Sequence, residues 1–112
     1  YLTDAQKLAQ ACYNYFFTDF TLPNGEPFKI LKKGDVWFTA VMLRGFIELY
    51  KTNGDKTYLD AFNKSLNYAW NNARDEKGLF NTDFSGNEKD AKKWLLTQAA
   101  MVEMYARLAA IK

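Results

Sequence analysis

The chain contains an internal repeat in its two most apolar stretches. Segments 46–50 and 101–105 align position for position, 55 residues apart, and both end in glutamate, an apolar residue and tyrosine. Segments 13–17 and 66–70 align in the same way, 53 residues apart, so the difference in spacing falls in loops. A repeat of this length predicts stacked helical hairpins, in which no single unit buries its own apolar face.

Hydrophobic periodicity predicts four helices of two kinds. Helix 1, over about 3–20, and helix 3, over 57–73, each have one polar and one apolar face. Helix 2, over 35–53, and helix 4, over 93–111, are apolar nearly all round, which is typical of buried helices. The alternation predicts an all-α toroid segment whose outer helices are 1 and 3 and whose inner helices are 2 and 4.

The connections between helices agree with two hairpins, over 1–53 and 55–112. The turn at Gly54 is tight, whereas 21–34 and 74–93 are long, and we expect only a short extended piece near 28–31. Both long connections lead into the predicted inner helices and therefore lie at the same end of the array. Because long loops in compact domains usually carry function, this end is the predicted working face.

Aromatic, acidic and amide side chains gather in these loops and in the first turns of the inner helices. Ligand pockets generally pair apolar walls with a few polar groups, so these side chains are candidate substrate-binding residues. Core packing remains open for each aromatic ring, and helix capping remains open for the aspartate at position 35. The candidates are Asp35, Trp37, Phe80, Asp83, Phe84, Trp94 and Gln98.

Several chemistries are excluded by the residues present. The chain has no histidine, and Cys12 is its one cysteine, so it has neither a Ser-His-Asp triad nor an intrachain disulfide. The nearest acidic doublet is Asp75-Glu76, in a charged loop start beside Lys77, and we interpret it as serving solvation and helix termination. We therefore assign no catalytic residue to this chain, and we expect no cofactor.

Metal, nucleic-acid and membrane binding are also not indicated. Segment 81–86 resembles the start of a calcium loop, but Lys92 stands where the bidentate glutamate is required, so a turn-rich loop is predicted instead. The net charge is only +2, with acids and bases interspersed, which argues against nucleic acid. No apolar run approaches the roughly 20 residues of a membrane span.

Two further interpretations concern charged and polar residues on the helices. Arg44 with Glu48, and Glu103 with Arg107, have the spacing of intrahelical ion pairs. Segment 63–65 is a formal glycosylation sequon, which we interpret as polar surface of helix 3.

Segments 35–50 and 94–106 resemble the carboxy-terminal hairpins of glycoside hydrolase family 76, the endo-α-1,6-mannanases. The Thr-Gln-Ala-Ala stretch at 97–100, with an aromatic-rich loop before it, is the more specific part, and the resemblance spans about 15–110. It implies an (α/α)6 barrel of six hairpins, of which this chain supplies two. It also implies a polysaccharide substrate, retaining hydrolysis by an Asp-Asp pair carried earlier in the barrel, and a bacterial secreted, periplasmic or cell-surface setting.

The sequence thus predicts a segment of a mannan-degrading glycoside hydrolase that supplies barrel wall and subsite loops without a catalytic carboxylate. We expect it to be a fragment of a larger catalytic domain, whose open apolar edge meets the remainder of the parent chain or another copy. The alternative is a non-catalytic helical-repeat module that binds a glycan or a protein partner. An Asp-Asp doublet upstream in the parent reading frame distinguishes the two.

Overall fold

The computed structural model of this chain describes residues 2–111 and is mostly helical. Over that range its elements are α1 (Leu2–Phe16), β1 (Phe17–Thr21), β2 (Pro27–Leu31), α2 (Val36–Asn53), α3 (Thr57–Asn72) and α4 (Leu95–Ala109). The four predicted helices are confirmed. No helix over residues 2–111 has the length and apolar character needed to cross a membrane.

A β-hairpin follows α1 where the sequence predicted more helix and a loop. Strands β1 and β2 pair antiparallel, with Phe17 opposite Leu31. Phe17 is buried, and its ring meets the ring of Phe62 edge-on at 5.3 Å. The predicted end of helix 1 near Phe20 is therefore wrong, because the phenylalanine and threonine residues after position 16 favour an extended chain, which places Phe17 in the core. The extended piece near 28–31 is confirmed as part of β2.

Ser65 on α3 is hydrogen-bonded to the backbone of this hairpin. Its side chain is fully buried, and its Oγ accepts a hydrogen bond from the Leu31 N–H at 3.2 Å and donates one to the Lys29 carbonyl at 3.4 Å. Strand β2 has no second neighbouring strand among the described residues, so the hydroxyl satisfies backbone groups that would otherwise be buried without partners. The interpretation of the sequon as polar surface is therefore wrong for this serine.

The predicted boundaries of α2 are confirmed by its caps. The Asp35 carboxylate accepts a hydrogen bond from the Trp37 N–H at 3.0 Å, which satisfies one of the free donors at the start of the helix. Gly54 ends the helix at φ 74°, in the left-handed region that glycine adopts without strain, and its N–H donates to the Tyr50 carbonyl.

The predicted order of burial is wrong, although α2 and α4 do pack together. Helix α3 buries six of its 16 residues, as many as α2 buries over 18, whereas α4 buries only three of 15. The reason is that α2 and α4 each leave an apolar side uncovered in the described chain. Phe38 is 67% exposed, Leu95 is 83% exposed and Val102 is 67% exposed.

Candidate functional site

The long connection between α3 and α4 lies beside the segment that leads into α2. The Lys33 ammonium and the Glu88 carboxylate are 2.6 Å apart and join the two across 55 residues of sequence. This hydrogen-bonded ion pair raises the pKa of Lys33. The structure thus brings the loop that holds Phe80, Asp83 and Phe84 close to the segment that holds Asp35.

Gln98 attaches the loop to the first turns of α4. Its amide group accepts a hydrogen bond from the Phe80 N–H at 2.8 Å and donates one to the Phe80 carbonyl at 2.9 Å. These two hydrogen bonds resemble those between paired β-strands, with the Gln98 side chain in the place of a second strand. Both the oxygen and the nitrogen of the amide are therefore bonded to the Phe80 backbone. Gln98 therefore positions the loop in this structure.

Phe80 and Phe84 are parts of the hydrophobic core in the described chain. Phe80 is buried between α3 and α4, with its ring 6.1 Å from Trp70 and 5.6 Å from Tyr105. The Tyr105 hydroxyl donates to the Leu66 carbonyl at 2.6 Å, and burial raises its pKa to about 12. Phe84 is only 1% exposed. Neither phenylalanine presents a ring face to solvent here.

Asp83 organises the turn that follows it. One carboxylate oxygen accepts hydrogen bonds from the N–H and the hydroxyl of Ser85, at 3.0 and 2.7 Å, and the other accepts from the Glu88 N–H at 2.9 Å. Burial opposes ionisation of this carboxyl, but the hydrogen bonds from Ser85 and Glu88 outweigh it, so the pKa of Asp83 lies below its usual range. The carboxylate therefore stabilises the loop.

Asp90 and Asn81 hold the two ends of this loop together by hydrogen bonds. The Asp90 carboxylate accepts from the N–H and the hydroxyl of Thr82, at 2.8 and 3.0 Å. Asn81 is buried, and its amide group donates to the Ala73 carbonyl at 3.1 Å and accepts from the Asp90 N–H at 3.0 Å. The oxygens of the calcium-like segment are therefore engaged by donors of the loop itself. Over residues 2–111, no group of three or more acidic, cysteine or histidine residues is arranged to hold a metal ion.

Trp37 and Trp94 remain accessible among the candidates. Trp37 is 40% exposed, and the Arg44 guanidinium lies 5.5 Å from its ring centre. Trp94 is 66% exposed and immediately precedes α4, where its backbone is extended at φ −68° and ψ 138°. Each tryptophan thus stands at the start of one of the two apolar helices, with its indole available for contact.

An ion pair between α2 and α4 was not foreseen from the sequence. Arg44 donates two hydrogen bonds to the Glu103 carboxylate, from Nε at 3.0 Å and from Nη2. The prediction that Arg44 pairs with Glu48 is therefore wrong, because the planar guanidinium matches both oxygens of a facing carboxylate. The predicted pairing of Glu103 with Arg107 is confirmed at 3.5 Å, and Glu48 instead lies 3.5 Å from Lys51.

The comparisons with known proteins give one consistent result. The chain is similar to the crystal structure of a family 76 glycoside hydrolase from a bovine Bacteroides thetaiotaomicron strain, with 38% sequence identity and a TM-score of 0.91 over 96% of this chain. It is also similar to a family 76 glycoside hydrolase, a mannosidase, from Bacteroides thetaiotaomicron VPI-5482, with 36% identity and a TM-score of 0.89, again over 96% of this chain. No protein-family model matches the sequence, and no curated protein matches it significantly.

The chain spans only a part of these structures. It covers 24% of the first and 30% of the second. The similarity therefore identifies the chain with one segment of the larger fold, and it confirms the resemblance inferred from segments 35–50 and 94–106.

Proposed function

From the confirmed relationship to glycoside hydrolase family 76, we propose that this chain is a wall and substrate-subsite segment of a mannan-degrading enzyme. We call the longer protein that contains it the parent protein. The observation that carries the proposal is 38% identity over 96% of the chain to a family 76 structure of which it covers 24%. A segment of that extent contributes to an active site without containing the whole of it.

The catalytic carboxylates belong to the parent protein outside this segment. A retaining glycosidase needs two carboxyl groups about 5–5.5 Å apart, one of them protonated to act as acid. The carboxylates at Asp83 and Asp90 instead accept backbone and hydroxyl hydrogen bonds within their own loop. The Glu103 carboxylate is held by Arg44, whose hydrogen bond lowers its pKa and keeps it ionised.

We assign the segment to two adjacent hairpins, 1–53 and 55–112, of an (α/α)6 toroid in the carboxy-terminal part of the parent protein. Side-by-side packing of α2 and α4 supports this assignment, since inner helices of such a ring are neighbours. The uncovered apolar sides of both helices support it as well, because apolar patches beyond a few hundred Å² normally mark an interface.

The substrate contacts in this segment are the exposed tryptophans at the starts of α2 and α4. Trp37 and Trp94 offer indole faces, and the nearby Asp35 lies at the exposed start of α2. Sugar rings stack on such faces through their C–H groups. Asp83, Gln98, Phe80 and Phe84 act on the substrate only indirectly, by fixing the loop that leads into Trp94 and α4.

The test is the kinetics of Trp37→Ala and Trp94→Ala in the parent protein, with reducing-sugar release from α-1,6-mannan as the measurement. We expect kcat/KM to fall about 10- to 100-fold in each variant, the range of a lost pocket contact, with the melting temperature nearly unchanged. Wild-type kinetics in both variants would remove the tryptophans from the substrate site.

Trp70→Ala is the matched control. Trp70 is 49% exposed but packs on Phe80 and Tyr105 and lies under the Arg74 guanidinium, 3.9 Å from its ring centre. Its loss should lower the melting temperature and leave kcat/KM within about twofold. If the wild-type parent protein releases no sugar but binds mannan, the non-catalytic helical-repeat module becomes the better account.

A further inference from the structure

The Arg44 side chain makes contacts with both α2 and α4. Within α2 its guanidinium lies 5.5 Å from the centre of the Trp37 ring, near the start of the helix. Across the helix pair, Nε at 3.0 Å and Nη2 donate hydrogen bonds to the two oxygens of the Glu103 carboxylate on α4. One planar group therefore contacts an indole on its own helix and a carboxylate on the neighbouring helix.

Helix geometry explains why Arg44 reaches the Trp37 ring. The two residues are seven positions apart, which is about two helical turns. Side chains of a helix point toward its amino-terminal end, so Arg44 extends back in the direction of Trp37. A guanidinium within about 6 Å of an indole centre is attracted by the electron-rich face of the ring. The contact therefore favours one placement of the indole over the others.

Glu103 holds the guanidinium in this position. Two hydrogen bonds from one guanidinium to one carboxylate fix the plane of the guanidinium as well as its distance. The Glu103 carboxylate is itself held by a second arginine, since Arg107 Nε lies 3.5 Å from it. The surface that the Trp37 ring meets is thus set by α4 and does not depend on the rotamer of Arg44 alone.

Trp37 has fewer aromatic neighbours than the other tryptophan that lies near an arginine. Over residues 2–111 no aromatic ring packs against Trp37, whereas Trp70 packs on Phe80 and Tyr105 in addition to its contact with Arg74. An exposed side chain that is free to change rotamer must be ordered when a ligand binds, and this ordering weakens binding. An indole that is already held in its binding orientation avoids this loss.

We propose that Arg44 is a positioning residue that holds the Trp37 indole in the orientation in which it binds substrate, and that Glu103 fixes Arg44 for this role. The inference rests on the proposed function, because it takes Trp37 as a substrate contact. Arg44 acts through the indole, and the part of Trp37 that remains exposed is the part that meets the sugar.

The test is the kinetics of the parent protein carrying Arg44→Met, Trp37→Ala or both, with α-1,6-mannan as substrate. We expect Arg44→Met to raise KM about three- to tenfold and to leave kcat within about twofold, because the indole contributes equally to binding of the ground state and of the transition state. The double variant should have the kcat/KM of Trp37→Ala within about twofold, since no indole is left for Arg44 to hold. An unchanged KM in Arg44→Met, or losses that multiply in the double variant, would overturn the proposal.

Arg107→Met is the matched control. It removes the other arginine that contacts the Glu103 carboxylate, and this arginine lies on α4 itself. The substitution therefore takes one positive charge from the same cluster and leaves the stacking contact with Trp37 in place. We expect KM within about twofold of wild type. Equal increases in KM for the two arginine variants would assign the effect to lost charge and would overturn the proposal.

Arg44→Lys decides the question if Arg44→Met does not fold. Lysine keeps a positive charge beside Glu103 but lacks the planar fork that holds both carboxylate oxygens, so KM should still rise by at least about twofold. A KM equal to that of wild type would overturn the proposal. If the wild-type parent protein releases no sugar, dissociation constants for mannan, measured by titration calorimetry, take the place of KM.

Trp37→Ala separates failure of this inference from failure of the proposed function. If Trp37→Ala keeps wild-type kinetics, the role of Trp37 in the substrate site is wrong, and the positioning role of Arg44 is wrong with it. If Trp37→Ala lowers kcat/KM whereas Arg44→Met leaves KM unchanged, the substrate site stands and only the positioning role is overturned.

Discussion

At the scale of single residues, the conformation of the loop before α4 is fixed by side chains that hydrogen-bond to the loop's own backbone. Among these loop residues, Gly86 occupies the position that is least able to accept a side chain. Its φ is 78°, and a Cβ there would lie 1.9 Å from the Asn72 carbonyl oxygen. The loop therefore crosses the end of α3 at a distance that only glycine permits, and its N–H donates to the Asp83 carbonyl at 3.0 Å.

Gly86→Ala should lower the free energy of unfolding of the parent protein by about 2–4 kcal/mol, from left-handed strain together with the clash. Chemical denaturation measures this change. Gly34→Ala is the matched control, because a Cβ at Gly34 meets nothing within 4 Å and its φ is not positive, so we expect a change within about 0.5 kcal/mol. Equal, small effects at the two positions would contradict the described path of the loop.

Sequence patterns predict local roles well and distant partners poorly. Asp35 as a helix cap and Gly54 as a helix end follow from neighbouring residues, and both are confirmed. The partners of Gln98 lie 18 residues away, and those of Ser65 lie 34 and 36 residues away. No periodicity in one sequence encodes such pairs, so the engagement of Gln98 and the burial of Ser65 were not predictable.

At the scale of elements, α2 and α4 are joined by Arg44 and Glu103 as well as by apolar packing. Glu48 lies four residues from Arg44, which is the spacing of an intrahelical ion pair. Arg44 pairs with Glu103 instead because α2 and α4 pack with these two side chains opposite each other, which the sequence does not show. The helices themselves were predictable because their periodicity is local. The β-hairpin was missed because aromatic residues near position 17 continue the helical pattern while their burial against α3 favours strands.

The Arg44–Glu103 pair predicts an acid-dependent loss of stability. The hydrogen bond from Arg44, aided by the charges of Arg44 and Arg107, holds the pKa of Glu103 below its usual range. Because the folded-state pKa is lowered, the contribution is complete above the ordinary glutamate value of about 4.3 and is lost as the pH falls through the folded value. Glu103→Gln in the parent protein should therefore lower the melting temperature near neutral pH.

That difference from wild type should shrink below about pH 4, as the wild-type carboxyl becomes protonated. Melting curves across this range measure it. Glu48→Gln is the matched control, since it removes one negative charge from the exposed face of α2 and breaks only an exposed contact with Lys51. A difference between Glu103→Gln and wild type that is independent of pH, or one no larger than that of the control, would contradict a stabilising role for the pair.

At the scale of the whole molecule, the chain has a core on one side and uncovered apolar surface on the other. The core lies between the hairpin, α2 and α3, where Phe62, Leu43 and Leu66 are fully buried. The opposite sides of α2 and α4 carry Phe38, Leu95 and Val102 in contact with solvent. The internal repeat predicted this division, because stacked hairpins bury their faces only against neighbours, whereas it could not predict which helix would be left most open.

We propose that this chain is a wall segment and that the catalytic pair lies elsewhere in the parent protein. The most direct measurement is reducing-sugar release from α-1,6-mannan, compared side by side for the purified 112-residue chain and for the parent protein. We expect release by the parent protein and none by the 112-residue chain at any pH, with circular dichroism of the chain confirming that its helices are formed. Hydrolysis by the folded chain alone would contradict a catalytic pair outside this segment, and absence of hydrolysis from the folded parent protein would contradict its being a mannan-degrading enzyme.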